Sequence, residues 1–279
     1  MPVAFITGAS TGIGEALSRV LAERGYDLAL LARSADKLEA LADQIRKTGR
    51  IAVPIPGDVT NLDDLLAAKT TIDNQLGPVD LVVANAGVGR RMRVEKIKIQ
   101  ESINIIQVNV IGAIHTIETF LPDMLKRGKG QIAGIASLAG FRGLPQNAAY
   151  SGSKSALITY LESLRGELRP RNIDVITICP GYVATPMTAQ NDKMPFLWSA
   201  EKTAVRIANA IERRQRVYRF PMPMSILLRI AQCLPNALFD FIMKPRGNHH
   251  NKRANSIFPR AKKSAGQPYS CPPTRSMHK

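Results

Sequence analysis

Tyr150-Ser151-Gly152-Ser153-Lys154 sets a phenol and an ammonium four residues apart, with Ser137 thirteen residues upstream. On a helix, residues four apart share a face, so Tyr150 and Lys154 point into the same space. A free tyrosine, with a pKa of about 10, keeps its proton at neutral pH. A nearby cation favours the phenolate and draws that pKa toward the working range. Such a pair can give a proton to, or take one from, an alcohol or carbonyl oxygen. The same spacing also occurs on ordinary solvated helix faces, so the chemistry depends on what the rest of the chain brings to it.

The N-terminus supplies a second half. Val3 to Thr7 is a short apolar run, continued by Gly8-Ala9-Ser10-Thr11-Gly12-Ile13-Gly14 and then by an amphipathic pattern from Glu15 to Arg24. Strand, glycine-rich turn and helix form the context of a dinucleotide-binding turn. Glycines let the backbone approach a pyrophosphate, and a helix N-terminus offers free N–H groups and a positive dipole end. The spacing is G-x-x-x-G-x-G rather than the general G-x-G-x-x-G.

These residues need a scaffold, and the chain supplies an alternating one. Strand-like runs fall at Val3–Thr7, Leu28–Ala32, Ala52–Pro56, Leu81–Ala84, Gln131–Ser137, Asp174–Ile178 and Val217–Phe220. Helical patterns fill 13–24, 35–48, 61–76, 101–127, 148–168 and 200–214. This alternation predicts an α/β fold, a doubly wound parallel sheet with helices on both faces. A hydrophobic share of 45% over 279 residues suits a packed core. Cys179, Cys233 and Cys271 have no metal-ligand spacing and form no disulfide scaffold. The four histidines, His115, His249, His250 and His278, make no metal site with nearby carboxylates. Met1 to Thr7 lacks a basic region ahead of its apolar run, so no secretory signal is expected. No uninterrupted apolar stretch reaches the roughly 18 residues of a membrane span. The expected location is the cytoplasm.

The chain resembles the short-chain dehydrogenase/reductase family, in its ordinary single-domain branch. The resemblance rests on Thr7-Gly8-x-x-x-Gly12-Ile13-Gly14, Asp58-Val59, Asn85-Ala86-Gly87, Asn109, Ser137, Tyr150-x-x-x-Lys154 and Pro180-Gly181, in the family's order and spacing over residues 3–220. It implies a Rossmann-like seven-stranded sheet of order 3-2-1-4-5-6-7. It also implies that residues 1–220 are a dinucleotide-binding catalytic domain transferring a hydride between a nicotinamide and a carbonyl or alcohol. Tyr150 is then the general acid of reduction. Lys154 lowers the pKa of Tyr150 and bonds the nicotinamide ribose, and Ser137 positions the substrate oxygen. Asn109 holds a water linking Lys154 to solvent.

For the cofactor, the resemblance puts Gly8, Ser10, Thr11, Gly12, Ile13 and Gly14 around the pyrophosphate. Asp58 and Val59 lie at the adenine, Asn85, Ala86 and Gly87 near the ribose, and the Pro180–Thr185 turn, with Gly181, Val183 and Thr185, at the nicotinamide amide. After the second strand the chain reads Arg33-Ser34, with no carboxylate until Asp36. A ribose 2′-hydroxyl is usually held by an acid there, and a 2′-phosphate by a cation. Arg33 can pair a phosphate through two donors and Ser34 can add a hydroxyl, so NADP(H) is expected over NAD(H). Many NADP-preferring relatives carry a basic residue where this chain has Thr11.

Leu138, Phe141, Leu144, Gln146, Tyr182 and Trp198 are the expected substrate walls. The resemblance implies that the apolar segment from Met187 to Trp198 is a lid, which suits a hydrophobic carbonyl or alcohol; ordinary core packing of these side chains is the competing reading. Residues 221–243 carry only Arg229 and Asp240 as charges, and Pro235 divides them. Each piece is too short to span a bilayer but long enough to lie in its interface. A flap over the substrate mouth and a subunit contact are the competing readings. Residues 244–279 hold nine Lys/Arg and no Asp/Glu, so they carry +9 of the net +16. They are expected to be disordered, and cations beside apolar helices suit an anionic cytoplasmic leaflet. A pI near 10.1 raises nucleic-acid binding, but the charge sits in the tail without an aromatic platform, so no specific nucleic acid is expected. The family's habit of pairing through the helices carrying Asn109 and Tyr150 implies a homodimer or homotetramer. A dehydratase or epimerase on the same scaffold, or a non-catalytic NADP-binding sensor, are the alternative functions.

Overall fold

The order of elements follows the alternation of the sequence, as a computed structural model describing residues 1–189, 191 and 194–244 shows. The strands are β1 (Val3–Thr7), β2 (Asp27–Ala32), β3 (Ala52–Pro56), β4 (Leu81–Ala84), β5 (Gly130–Ile135), β6 (Ile173–Pro180) and β7 (Val217–Phe220). Between them lie α1 (Gly12–Glu23), α2 (Ala35–Arg46), α3 (Leu62–Gln75), α4 (Ile99–Ile106), α5 (Gly112–Glu118), α6 (Leu121–Arg127), α7 (Ala148–Leu168) and α8 (Ala200–Glu212). All seven strands are parallel in the order 3-2-1-4-5-6-7. The basic tail expected to be disordered lies, from residue 245 onward, outside the described residues.

Parallel strands are buried on both faces, so successive apolar side chains serve different layers. Ile6, Leu30 and Val83 are in register and pack with Leu17 of α1, Leu38 of α2 and Ile207 of α8. Their neighbours Phe5, Leu31 and Val82 pack on the other face with Ile72 of α3, Ile117 of α5 and Leu161 of α7. Phe5, Leu17, Leu30 and Leu161 are fully buried, and each such burial stabilises the fold by about 1.5–3 kcal/mol. Every strand therefore ends at the same edge, and the site lies beyond their carboxyl ends.

The helix expected over 101–127 is not continuous. A π-helical turn, Gln107–Ile111, separates α4 from α5, and α6 restarts after Phe120 with Pro122 in its first turn. Proline has no N–H to continue the ladder but suits a helix start. The whole run Ile99–Arg127 has the length and mean hydropathy of a membrane span. Ile105, Val108, Ala113, Ile117, Phe120 and Met124 are nevertheless buried in the protein. The predicted β5 is two residues shorter at its end, and β6 two longer. Ser137 thus leaves the sheet and caps a 3-10 turn, Leu138–Gly140, by accepting from the Ala139 N–H at 3.1 Å.

Residues 221–243 form two helices, α9 (Met222–Cys233) and α10 (Asn236–Met243), parted at Pro235. Met224 and Leu228 of α9 pack against the α7-side core. Phe239 of α10 is buried beneath Arg142, whose guanidinium lies 4.4 Å from the ring centroid. Met1–Met243 forms one compact unit, so the extension belongs with the sheet domain.

Candidate active site

The glycine turn after β1 is built by contacts that only small residues permit. A Cβ on Gly14 would lie 2.2 Å from the Gly8 carbonyl oxygen and 2.5 Å from Asn85 Nδ2. Asn85 closes the turn from β4: its Nδ2 donates to the Thr7 carbonyl at 2.9 Å, and its own N–H donates to Thr7 Oγ1 at 3.2 Å. The turn leaves the N-terminus of α1 facing a cavity of about 350 Å³. Gly8, Ser10, Thr11, Gly12 and Ile13 line it, with Arg33, Ser34, Asp58, Val59, Asn85, Ala86 and Gly87. Pro180, Gly181, Val183 and Thr185 close the far end. Gly14 alone of the expected cofactor residues does not line it, because it packs inward on Gly8.

Arg33 is exposed, and its Nη1 lies 4.0 Å from Asp58 Oδ2. The other Asp58 oxygen accepts from the Thr60 N–H and hydroxyl, both at 2.9 Å, which fixes the loop after β3. Asn61, three residues on, caps α3. Thr188, unforeseen in the sequence, holds the Pro180–Thr185 turn: its hydroxyl donates to the Val183 carbonyl at 2.6 Å and accepts from the Thr185 N–H at 3.1 Å.

Tyr150 and Lys154 enter the same cavity from the first turns of α7. Lys154 is buried, and its Nζ donates to the Ile135 carbonyl at 2.8 Å. Burial pulls its pKa down to about 8, with Cys179 acting weakly in the opposite sense. Cys179, buried beneath, is pushed up to about 12 by the same desolvation. The expected lowering of Tyr150 is not found. Burial raises its pKa, while a hydrogen bond with Ser137 works the other way. Desolvation of the phenolate outweighs its stabilisation.

Asn109 lines neither cavity. It is fully buried in the π turn, where its Oδ1 accepts from the Val88 N–H and its Nδ2 donates to the Val88 carbonyl and to Ser153 Oγ. The side chain expected to hold a water is spent on the loop after β4.

A second cavity, about 590 Å³, adjoins the first, and Ser137, Tyr150, Gly181, Met187 and Thr188 line both. Leu138, Leu144, Gln146 and Tyr182 line it as expected of substrate walls. Phe141 and Trp198 do not. Phe141 packs into the α7-side core under the Arg219 guanidinium, 5.2 Å away. Trp198 stacks on Phe220 of β7 at 5.1 Å and bridges to Val183 through the backbone. Of the expected lid, Met187, Thr188 and Asn191 reach the cavity, and Gln190, Asp192 and Lys193 lie outside the described residues. Residues missed in the sequence are Arg90, Arg91 and Arg93, while Met224 and Leu228 of α9 bring in the extension for which a flap over the substrate mouth was one reading. The arginine run directly after the Asn85-Ala86-Gly87 motif, and the four-residue spacing of Met224 and Leu228, were the available signals.

The cradle fits a dinucleotide: a crowded glycine turn, a free helix N-terminus and a cation at the end of β2 surround one groove. The short chain dehydrogenase family profile matches residues 2–195. An uncharacterized oxidoreductase of Myxococcus xanthus is 40% identical over 238 residues, which is 85% of this chain and 94% of that protein. Ketoacyl reductase HetN of Nostoc sp. is 32% identical over 208 residues, covering 74% of this chain and 72% of that one. The alcohol dehydrogenase from the archaeon Thermococcus sibiricus, solved with 5-hydroxy-NADP, matches with a TM-score of 0.72 and 30% identity, over 79% of this chain and 95% of that chain. Motifs, sheet order and relatives agree, and the chain belongs to the short-chain dehydrogenase/reductase family of oxidoreductases.

Proposed function

We propose that this oxidoreductase is an NADP(H)-linked reductase of a hydrophobic carbonyl compound, with Ser137, Tyr150 and Lys154 as its catalytic residues. The observation that carries the reading is the junction of the two cavities: Ser137 and Tyr150 line both the dinucleotide groove and the larger pocket beside it. A reduced nicotinamide, when bound, supplies the hydride that goes to the carbonyl carbon. Tyr150 gives its phenolic proton to the carbonyl oxygen. The phenol carries its proton at neutral pH; burial raises its pKa and so weakens it as an acid, and stabilisation of the phenolate must offset that cost. Ser137 donates to the same oxygen and holds it. Lys154, largely a cation below a pKa of about 8, stabilises the phenolate left behind. Asn109 acts through Val88 as a positioning residue.

Arg33 and Ser34 line the groove at the end of β2, where a 2′-phosphate meets the chain in NADP-binding relatives. The Thermococcus sibiricus relative was solved with an NADP derivative, which supports this preference. The test is Tyr150→Phe with a panel of apolar ketones and NADPH. Turnover should fall by about 10²–10⁴-fold, with NADPH affinity within a factor of about two. Substantial turnover by the variant would remove Tyr150 from the chemistry.

Two surfaces support the proposed partners. Ile99, Ile103, Ile106 and Ile111 form an exposed stripe along α4 and the π turn; their five-residue last step crosses the turn that carries an extra residue. A second copy of the chain would cover it. On α9 and α10, Met222, Ile226, Leu227, Ile230, Phe241 and Ile242 are exposed. With Arg213, Arg214, Arg216 and Arg219 before them and the nine cations of residues 244–279 after them, they suit the surface of an anionic membrane.

A further inference from the structure

The larger pocket is unequal in its chemistry. One wall is apolar: Leu138, Leu144 and Met187, with Met224 and Leu228 supplied by the inward face of α9. The segment after β4 lines the same space through Arg90, Arg91 and Arg93. No Asp or Glu lines it among the described residues. Glu101 pairs with Arg90 at 3.0 Å, and with Lys98 at 3.8 Å, outside the pocket lining.

The arginine segment is fixed in place. A Cβ on Gly89 would lie 2.9 Å from Tyr150 Cδ2, so the backbone leading into Arg90 runs directly against the ring of the proposed acid. Three residues on, the Met92 N–H donates to the Gln146 carbonyl at 2.8 Å. Gln146 holds a left-handed φ of 66°, a conformation that costs a non-glycine residue of order 1 kcal/mol and persists only where surroundings impose it. The backbone carrying Arg90 and Arg91 is thereby held at both ends, against Tyr150 and the loop that begins α7.

A concave space lined by cations and apolar side chains, with no carboxylate among the described residues, attracts an anion joined to an apolar body. Arginine binds carboxylate and phosphate alike through paired donors. Resting on the reductase reading above, we propose that the substrate is an anionic amphiphile, an apolar oxo-compound carrying a carboxylate or phosphate that Arg91 and Arg93 hold while its carbonyl lies at Ser137 and Tyr150. A wholly neutral hydrophobic ketone would bring Arg91 and Arg93 no counter-charge.

The experiment compares three matched probes with NADPH: medium-chain oxo-acids with the ketone stepped along the chain, their methyl esters, and the corresponding oxo-alkyl phosphates. At low ionic strength kcat/KM for the acid or the phosphate should exceed that for the ester by about tenfold or more, and salt should reduce the excess. The acid and phosphate arms tell the two anions apart. In Arg91→Ala/Arg93→Ala the anion-to-ester ratio should fall toward one, and Arg91→Lys/Arg93→Lys should retain much of it. Ester and anion used equally well, or a preference surviving the double alanine substitution, would overturn the proposal while leaving the reductase reading intact. If no probe is reduced, calorimetric binding of an alkanoate and its methyl ester to the NADPH-loaded protein decides it. A charge preference lost in the double variant keeps the anion site and removes the reductase reading; no preference removes the site.

Discussion

Asn109 holds Val88 from both sides, its Oδ1 accepting from the Val88 N–H at 2.8 Å and its Nδ2 donating to the Val88 carbonyl at 2.9 Å. A π turn makes this reach available, and Ser153, one residue before Lys154, takes the other amide proton at 2.9 Å. One buried amide thus joins the loop after β4 to the helix of the proposed acid. Replacing it with leucine leaves the Val88 N–H and carbonyl without these partners, at about 1–3 kcal/mol for each group left unsatisfied, while the Ser153 hydroxyl still donates to the Tyr150 carbonyl. Asn109→Leu should lose at least 2 kcal/mol in urea unfolding and bind NADPH more weakly, since Ala86 and Gly87 precede the residue set free. Unchanged stability would mean that the clamp carries no energy.

Lys154 is expected to weaken the fold it serves. Its pKa falls from 10.5 to about 8 because burial disfavours the ammonium. Between those pH values the unfolded chain holds a proton here that the folded chain lacks, so stability rises with pH across the window. Below about pH 8 both forms are protonated and the folded state carries the whole desolvation cost, about 3 kcal/mol. Lys154→Met loses the bond to the Ile135 carbonyl but removes that cost. It should be more stable than the parent by on the order of 2 kcal/mol at pH 7, with the gap closing from pH 8 to 10.5, and it should be inactive. Urea unfolding at a series of pH values measures this; a variant less stable at pH 7 would contradict the burial argument.

The strands were the legible part of the fold because a buried parallel strand announces itself by composition alone. Val3–Thr7, Ala52–Pro56 and Leu81–Ala84 end where the apolar runs end, and α7 spans the expected 148–168. The site residues that lie beside a glycine or a strand end were legible for the same reason. Misreadings arose where a side chain has two apolar environments to choose from. Trp198 and Phe141 are as hydrophobic as a pocket wall should be, but Phe220 and Arg219 on β7 offered each a better partner. No local pattern encodes a contact across the sheet. The π turn was hidden in the same way: one extra residue leaves the apolar stripe of 101–127 nearly continuous while moving Asn109 inward.

Arg33 should decide the cofactor. Its side chain is 73% exposed, with one carboxylate 4.0 Å away, so a 2′-phosphate would compete with water rather than with a buried ion pair. Arg33→Ala should weaken NADPH binding about tenfold and leave NADH binding within a factor of about two, as read by nicotinamide fluorescence. A parent protein that prefers NADH would remove the NADP(H) assignment.

The isoleucine stripe predicts self-association. Ile103 stands in its middle and is 42% exposed, too much apolar surface to be explained by the packing of α4 on α7. Ile103→Glu would place a charge at the centre of a twofold contact, where it would face its own copy. Light scattering should report a dimer or tetramer for the parent and a shift toward monomer for the variant. A monomeric parent would end this reading.

The last surface separates lipid from protein as the neighbour of the extension. α9 turns Met224 and Leu228 inward to the larger pocket and Met222, Ile226, Leu227 and Ile230 outward. Burying those outward side chains in a bilayer interface gains roughly 25 cal/mol per Å² of apolar area, and cations near an anionic surface add about 1 kcal/mol each. Neither contribution alone holds a folded domain on a membrane for long, and their combination predicts two independent sensitivities. The protein should co-sediment with phosphatidylserine-containing vesicles and far less with neutral ones, and salt should weaken the association. Leu227→Glu/Ile230→Glu should weaken it in low salt as well, without altering turnover, because neither side chain lines the pocket. Equal recovery with neutral and anionic vesicles would remove the electrostatic half of the argument. Unaltered recovery of the double variant would remove the apolar half.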